Sequence, residues 1–128
     1  MGNRAVITVE GSKVGIYVHW NGGRESVTAF LRAAKDLGVR TPASDPPYFY
    51  ARLVQIIGNF FGGTTSVGID ALDQLDTDNG DNGVYYVDEH MQINWDRSGA
   101  KGMLLQDLSD EIYAEVMRKN RAAFKDQS

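Results

Sequence analysis

At 128 residues, with 42% hydrophobic and 23% charged positions, the chain has the size and composition of a single globular domain spanning 1–128. It contains no cysteine, which excludes disulfides, thiol nucleophiles and thiolate metal sites. A net charge of −4 excludes a broad basic coat for DNA but is compatible with one small phosphate ligand held by a few local arginines.

The N-terminus has no basic stretch followed by an apolar run, and no segment reaches the roughly 20 apolar residues of a membrane span. The expectation is a cytoplasmic protein without a membrane or DNA partner. Arg4 to Trp20 reads as a hairpin: Ala5–Val9 is β-branched, Glu10–Lys13 is a polar turn, and Val14–Trp20 returns. Alternation puts Val14, Ile16, Val18 and Trp20 on one face as core, and Gly15, Tyr17 and His19 on the other. Asn21-Gly22-Gly23-Arg24 breaks the strand, and Ser26 is the expected N-cap of a helix to about Leu37. Backbone N–H groups at such a helix start attract anions, and Arg24 stands beside them, although the spacing matches no phosphate-loop motif.

Val39–Ser44 is a linker to the most strongly signalled helix, Asp45 to Gly63. Asp45 suits the N-cap, Pro46 and Pro47 the first turn, and Gly62-Gly63 a left-handed stop. Leu53, Ile56, Ile57 and Phe60 form one stripe, while Phe49, Val54 and Phe61 extend the apolar surface beyond it, as in a helix covered on several sides. Its polar residues Arg52, Gln55 and Asn59 share one face. Thr64–Ile69 is expected as a strand and Asp70–Gly83 as an acidic, glycine-rich connection. Val84–Val87 and Met91–Trp95 form a second hairpin, Arg97–Gly102 a loop, and Ser109 caps a last helix to about Phe124 with Ile112, Val116 and Ala123 inward. The order β-β-α-α-β-β-β-α implies an α+β fold: an antiparallel sheet of two hairpins plus one strand, packed with about three helices.

No motif nominates a catalytic group or a resident cofactor. Asp76 to Gly83 resembles a calcium loop in composition, but the residue twelve places along is Val87 where an EF-hand has glutamate. The run equally suits tight turns or a loop touching a polar ligand. His19 and His90 belong to different hairpins, and no glycine-flanked serine elbow is present. The remaining chemistry suits a small nucleotide. Aromatic faces (Tyr17, Trp20, Phe61, Tyr85, Tyr86) can stack a base at roughly 1–3 kcal/mol each. Arg24, Arg52 and Arg97 can grip phosphate in two-pronged fashion, and Asn or Asp side chains can reach ribose hydroxyls.

Several blocks together resemble the phage Thoeris anti-defence proteins of the first type. They are Asn3–Thr8, Gly15–Val27 with Ala29-Phe30-Leu31, Ala51-Arg52-Leu53 to Gly58–Gly63, and Asp76 through Tyr85. The likeness covers about residues 3–95 and leaves the C-terminal helix unmatched. It implies a small sponge in the cytoplasm of a bacterial host that binds cyclic ADP-ribose-type signals made by TIR-domain enzymes, without cleaving them. It further implies a homo-oligomer, with separate sites that take cyclic di- or trinucleotides. Inside the matching blocks, chemistry selects Arg24 and Arg52 for phosphate, and Trp20, Tyr17 or Phe61 for adenine. Asn59, Asp81 and Asn82 suit ribose or base edges, with His19, Asn21 and Tyr85 beside them. Two rival readings stand against this: a metal-dependent nucleotide hydrolase using the Asp76–Asp81 carboxylates, and an acidic protein–protein inhibitor of a host defence factor.

Overall fold

The computed structural model describes residues 2–62, 66–95 and 106–125. Five strands, β1 (Ala5–Val9), β2 (Val14–Val18), β3 (Val67–Ala71), β4 (Val84–Val87) and β5 (Ile93–Trp95), form one sheet in the order β3-β2-β1-β4-β5. Three helices, α1 (Arg24–Asp36), α2 (Pro46–Phe61) and α3 (Gln106–Lys125), complete an α+β domain. The sheet is antiparallel at three of its four junctions, and β1 with β4 is a parallel pair. That exception follows from connectivity. β3 and β4 both run with β1, so the chain must cross two strands between them, and a crossover takes a dozen or so residues. Leu72–Gly83 is that crossover, and it lies over the sheet face that the helices leave uncovered.

Register sorts the two faces. Ala5, Ile7, Ile16, Val18, Tyr85 and Val87 point toward the helices and pack in one core with Val27, Phe30, Leu31, Phe49, Leu53, Ile56, Ile57 and Val116. On the other face Val6, Thr8 and Gly15 are buried beneath the crossover. A Cβ on Gly15 would meet Leu75 Cδ1 at 2.9 Å, Val6 Cγ1 at 3.1 Å and Leu72 Cδ1 at 3.3 Å. The glycine lets two leucines lie flat on the strand. Contrary to expectation, Val14 and Trp20 are not core: they are 36% and 44% exposed. The helices do not reach that flank of the sheet.

α2 forms as its local chemistry dictates. The Asp45 carboxylate accepts from Tyr48 N–H at 3.3 Å, two prolines occupy the first turn, and Gly62 closes the helix with φ 71°. Tyr50, on its inner side, accepts from Val9 N–H and donates to Val14 C=O, each at 3.0 Å, tying the helix to the first hairpin. Both serine caps were misassigned. α1 starts at Gly23 with no side-chain cap, and Ser26 is buried in its first turn, accepting from Asn21 Nδ2 at 3.3 Å. Ser109 is buried within α3 and accepts from Arg32 Nη1 at 2.8 Å. The expected strand at Thr64–Ile69 is shifted to Val67–Ala71, and Thr64, Thr65 and the expected Arg97–Gly102 loop fall outside the described residues. No helix among the described residues is long and apolar enough to cross a membrane.

Candidate functional site

The polar residues converge at the end of the sheet where β1 begins, and the segment Gly2–Arg4 is their hub. Asn3 N–H donates to His19 C=O at 2.9 Å, and Gly22 N–H donates to Asn3 C=O at 2.8 Å. The crossover loop closes on the same segment. Asp81 Oδ2 accepts from Arg4 N–H at 3.0 Å and from Arg4 Nε at 2.8 Å. Asn82 donates from its backbone to Arg4 C=O at 3.1 Å and from Nδ2 to Asn3 Oδ1 at 2.6 Å. A buried amide holds the loop itself in shape. Asn79 Nδ2 donates to the Asp76 and Gly83 carbonyls, and its Oδ1 accepts from Asp81 and Gly83 N–H. Every hydrogen-bonding position of that side chain is thus filled.

Three aromatic side chains follow on from the hub. Tyr17 hydroxyl is hydrogen-bonded to His19 Nδ1 at 2.8 Å, and the His19 ring meets Trp20 edge-on with centroids 4.9 Å apart. A Cβ on Gly2 would stand 2.9 Å from His19 Nε2 and 3.2 Å from Arg4 Cγ, so the imidazole and the arginine stem flank that glycine. Tyr17 and His19 are half-buried, and Trp20 presents its indole to solvent. Electrostatics at the hub are paired. The hydrogen bond from the Arg4 side chain, reinforced by that from its backbone, holds the Asp81 carboxyl below the usual range, and Asp81 in turn raises Arg4. Arg4 uses Nε on Asp81, and its two Nη nitrogens make no hydrogen bond among the described residues.

Backbone geometry at the start of α1 has two causes. Asn21 sits at φ 56°, a left-handed conformation that asparagine tolerates better than most residues. Gly22 is needed for close approach rather than flexibility: a Cβ there would fall 2.5 Å from Asn3 O and 2.8 Å from Ala5 Cβ. The buried Tyr85 hydroxyl donates to Gly22 C=O at 2.8 Å, so Tyr85 belongs to the core and has no ring face open for stacking. At the helix start, a Cβ on Gly23 would meet Glu25 Oε1 at 2.8 Å. The chain's own carboxylate therefore folds back over the first turn, where the helix dipole favours negative charge. Arg24 opens α1, half-buried and with an interaction partner of its own.

Comparison with protein families, characterised proteins and solved structures finds no match to this chain. Assignment therefore rests on where the candidate residues fall. Tyr17, His19, Trp20, Asn21, Asp81, Asn82 and Tyr85 are brought around Gly2–Arg4, and Arg24 opens the helix that adjoins them; Arg52, Asn59 and Phe61 are not brought there. Arg52 is exposed on α2, donating to Gln55 Oε1 at 2.6 Å and lying 5.0 Å over the Tyr48 ring. Asn59 turns away from that pair and donates to Asn120 Oδ1 of α3 at 3.0 Å. Phe61 packs edge-on against Phe30 and beside Phe60. Arg4, Asn3 and Asn79 were not singled out from the sequence.

Among the described residues no three His, Asp or Glu side chains converge as metal ligands. A groove of about 600 Å³ opens at the opposite end of the sheet, between Glu10, Asp88 and Glu89 on one side and Pro42, Pro46 and Tyr50 on the other. Its carboxylates disfavour a phosphate-bearing ligand there.

Proposed function

We propose that this protein binds and sequesters a small cyclic nucleotide signal of the cyclic ADP-ribose class without cleaving it, with cyclic di- and trinucleotides as further candidate ligands. One observation carries the reading: Trp20, an exposed indole packed edge-on against His19, and Arg4, whose Nη nitrogens make no hydrogen bond among the described residues, both adjoin the place where His19 meets Gly2. A base stacks on the first and a phosphate accepts from the second, the pair of contacts a nucleotide requires. Tyr17 and His19 supply the flanking polar edge, and Arg24 a second cation for phosphate. These residues fall inside the blocks that resemble the phage anti-defence sponges, which supports the choice of ligand class. The geometry favours Asp81 and Asn82 as the supports that hold Arg4 and Asn3 in place, acting on a ligand through those residues. It gives Arg52, Asn59 and Phe61 other work in the fold.

The test is a heat-release experiment. Purified protein is mixed with a panel of cyclic ADP-ribose isomers and cyclic di- and trinucleotides, free ligand is quantified, and the sample is boiled and quantified again. Depletion followed by recovery of the intact molecule is the expected result. Recovery of fragments would replace the sponge with a nucleotide hydrolase, and no depletion would favour a protein–protein inhibitor.

A further inference from the structure

The free edge of the sheet carries an inference independent of the ligand. β3 is an end strand, and among the described residues nothing pairs with its outer side. Its hydrogen-bonding direction is set by β2. His19 N–H donates to Ser66 C=O and Leu72 N–H to Lys13 C=O, so the even-numbered residues of this segment face β2. Val67, Ile69 and Ala71 therefore aim their backbone N–H and C=O groups outward. The flank is also apolar. Val14, Trp20 and Ile69 are the large hydrophobic residues exposed among the described ones, and all three lie on or beside β2 and β3. Ile69, at 54%, is the most open. A five-residue edge with outward backbone groups and a central exposed isoleucine is a template for another strand.

We infer that the occupant is a second copy of this chain, joined β3 to β3 in antiparallel fashion about a two-fold axis at Ile69. The strand Val67-Gly68-Ile69-Asp70-Ala71 is complementary to itself in that register. Ile69 opposes Ile69, Val67 opposes Ala71, and Asp70 opposes Gly68, so no carboxylate stands directly across from another. The Ile69–Ile69 and Val67–Ala71 pairings use outward-facing backbone groups, and Asp70–Gly68 is the non-hydrogen-bonded pair between them, as an isologous antiparallel interface requires. One device opposes them: Asp70 Oδ1 accepts from Ala71 N–H at 2.7 Å, so that donor must exchange partners when the strands pair. Asp70 thereby limits the strength of the contact without blocking its centre.

Sedimentation and light scattering of the full chain, with Ile69→Lys and Asp70→Ala beside it, test the proposal. Wild type is expected to show a mass at least twice the 14.1 kDa of one chain. Ile69→Lys, at an exposed position, is expected to halve that mass with an unchanged circular-dichroism spectrum, and Asp70→Ala to tighten association several-fold. A cross-link makes the register itself falsifiable even if the lysine variant fails to fold. The chain has no native cysteine, and paired residues in this register have Cα atoms about 5.5 Å apart, within the range a disulfide spans. Ile69→Cys is expected to give a covalent dimer on mild oxidation, whereas Asp73→Cys, exposed in the adjoining turn, stays single. A wild-type mass of 14.1 kDa at the highest soluble concentration, an oligomer indifferent to Ile69→Lys, or no cross-link through Ile69→Cys would each overturn it.

Discussion

Replacing Asn59 by alanine separates a residue that holds the fold from one that holds a ligand. Asn59 Nδ2 donates to Asn120 Oδ1 at 3.0 Å, and Asn120 is fully buried, its own Nδ2 donating to Ile56 C=O at 3.1 Å and Val116 C=O at 2.9 Å. Asn120 thus ties α3 to α2, with Asn59 filling its one acceptor. Asn59→Ala removes a hydrogen bond and strands that buried oxygen, at a cost of about 1.5 kcal/mol. Asn120→Ala removes all three bonds and leaves a small void, costing about 2–3 kcal/mol. Because both changes delete one shared contact, the double variant should fall short of their sum by about 1 kcal/mol. With an unfolding entropy of about 2.1 cal/mol/K per residue, this 128-residue chain loses about 5 °C of Tm in Asn59→Ala. Thermal and urea unfolding followed by far-UV circular dichroism measure this, with nucleotide titrations run on the same samples. A Tm within about 1 °C of wild type together with tenfold weaker nucleotide binding would refute the clamp and return Asn59 to the ligand.

Two glycines predict opposite responses. Gly22→Ala drives a methyl group into Asn3 O and Ala5 Cβ, backbone-anchored neighbours that cannot step aside, and should cost about 3 kcal/mol in a denaturation series. Gly58→Ala, in the interior of α2 with open space around it, should gain about 0.5–1 kcal/mol in the same assay. The Arg4–Asp81 pair predicts an acid response. The folded-state pKa of Asp81 is depressed, so its stabilisation is complete above the ordinary carboxylate value of about 4 and is lost as pH falls through the lower folded value. Asp81→Asn should lower stability at neutral pH and flatten the decline below pH 4 in melts across a pH series. For the ligand, Trp20→Ala should weaken nucleotide affinity about 5- to 100-fold by calorimetry, the worth of one stacked base, with Arg24→Ala costing at least tenfold. Unchanged affinity in both would move the site away from the hub.

What the sequence made legible is what local chemistry decides. The start and stop of α2 depend on an Asp carboxylate, two prolines and a glycine within their own turns, and the structure uses them in those roles. Ser26 and Ser109 satisfied the same local rule and were misread, because each hydroxyl accepts from a side chain elsewhere, Asn21 in one case and Arg32 in the other. Val14 and Trp20 obey strand alternation, yet alternation says nothing about whether a helix reaches the flank where they emerge. The parallel β1–β4 pair was likewise hidden. It requires Leu72–Gly83 to cross a whole sheet face without forming an α-helix, whereas a run rich in Asp, Asn and Gly reads as a surface loop.

The site was half legible for a related reason. An Asp-Asn-Gly loop announces that its side chains will hydrogen-bond, but not to what, and here the partners are Asn3 and Arg4, some 77 to 79 positions away in sequence. In the sequence Arg4 is only the start of a hairpin, since the carboxylate it pairs with lies 77 positions away. Once Asp81 and Asn82 are seen as supports, the organisation of the hub has a physical rationale. Asn79 fixes the loop, the loop fixes Arg4 and Asn3, and Asn3 holds Gly22 and His19, so the groups nearest solvent sit on a hydrogen-bonded base. A ligand meeting such a base gives up little conformational entropy in the protein, so contacts from one indole and one guanidinium convert more fully into affinity. The proposed binding without turnover would draw on this arrangement: fixed donors and a stacking face, with the Asp81 carboxylate engaged by Arg4.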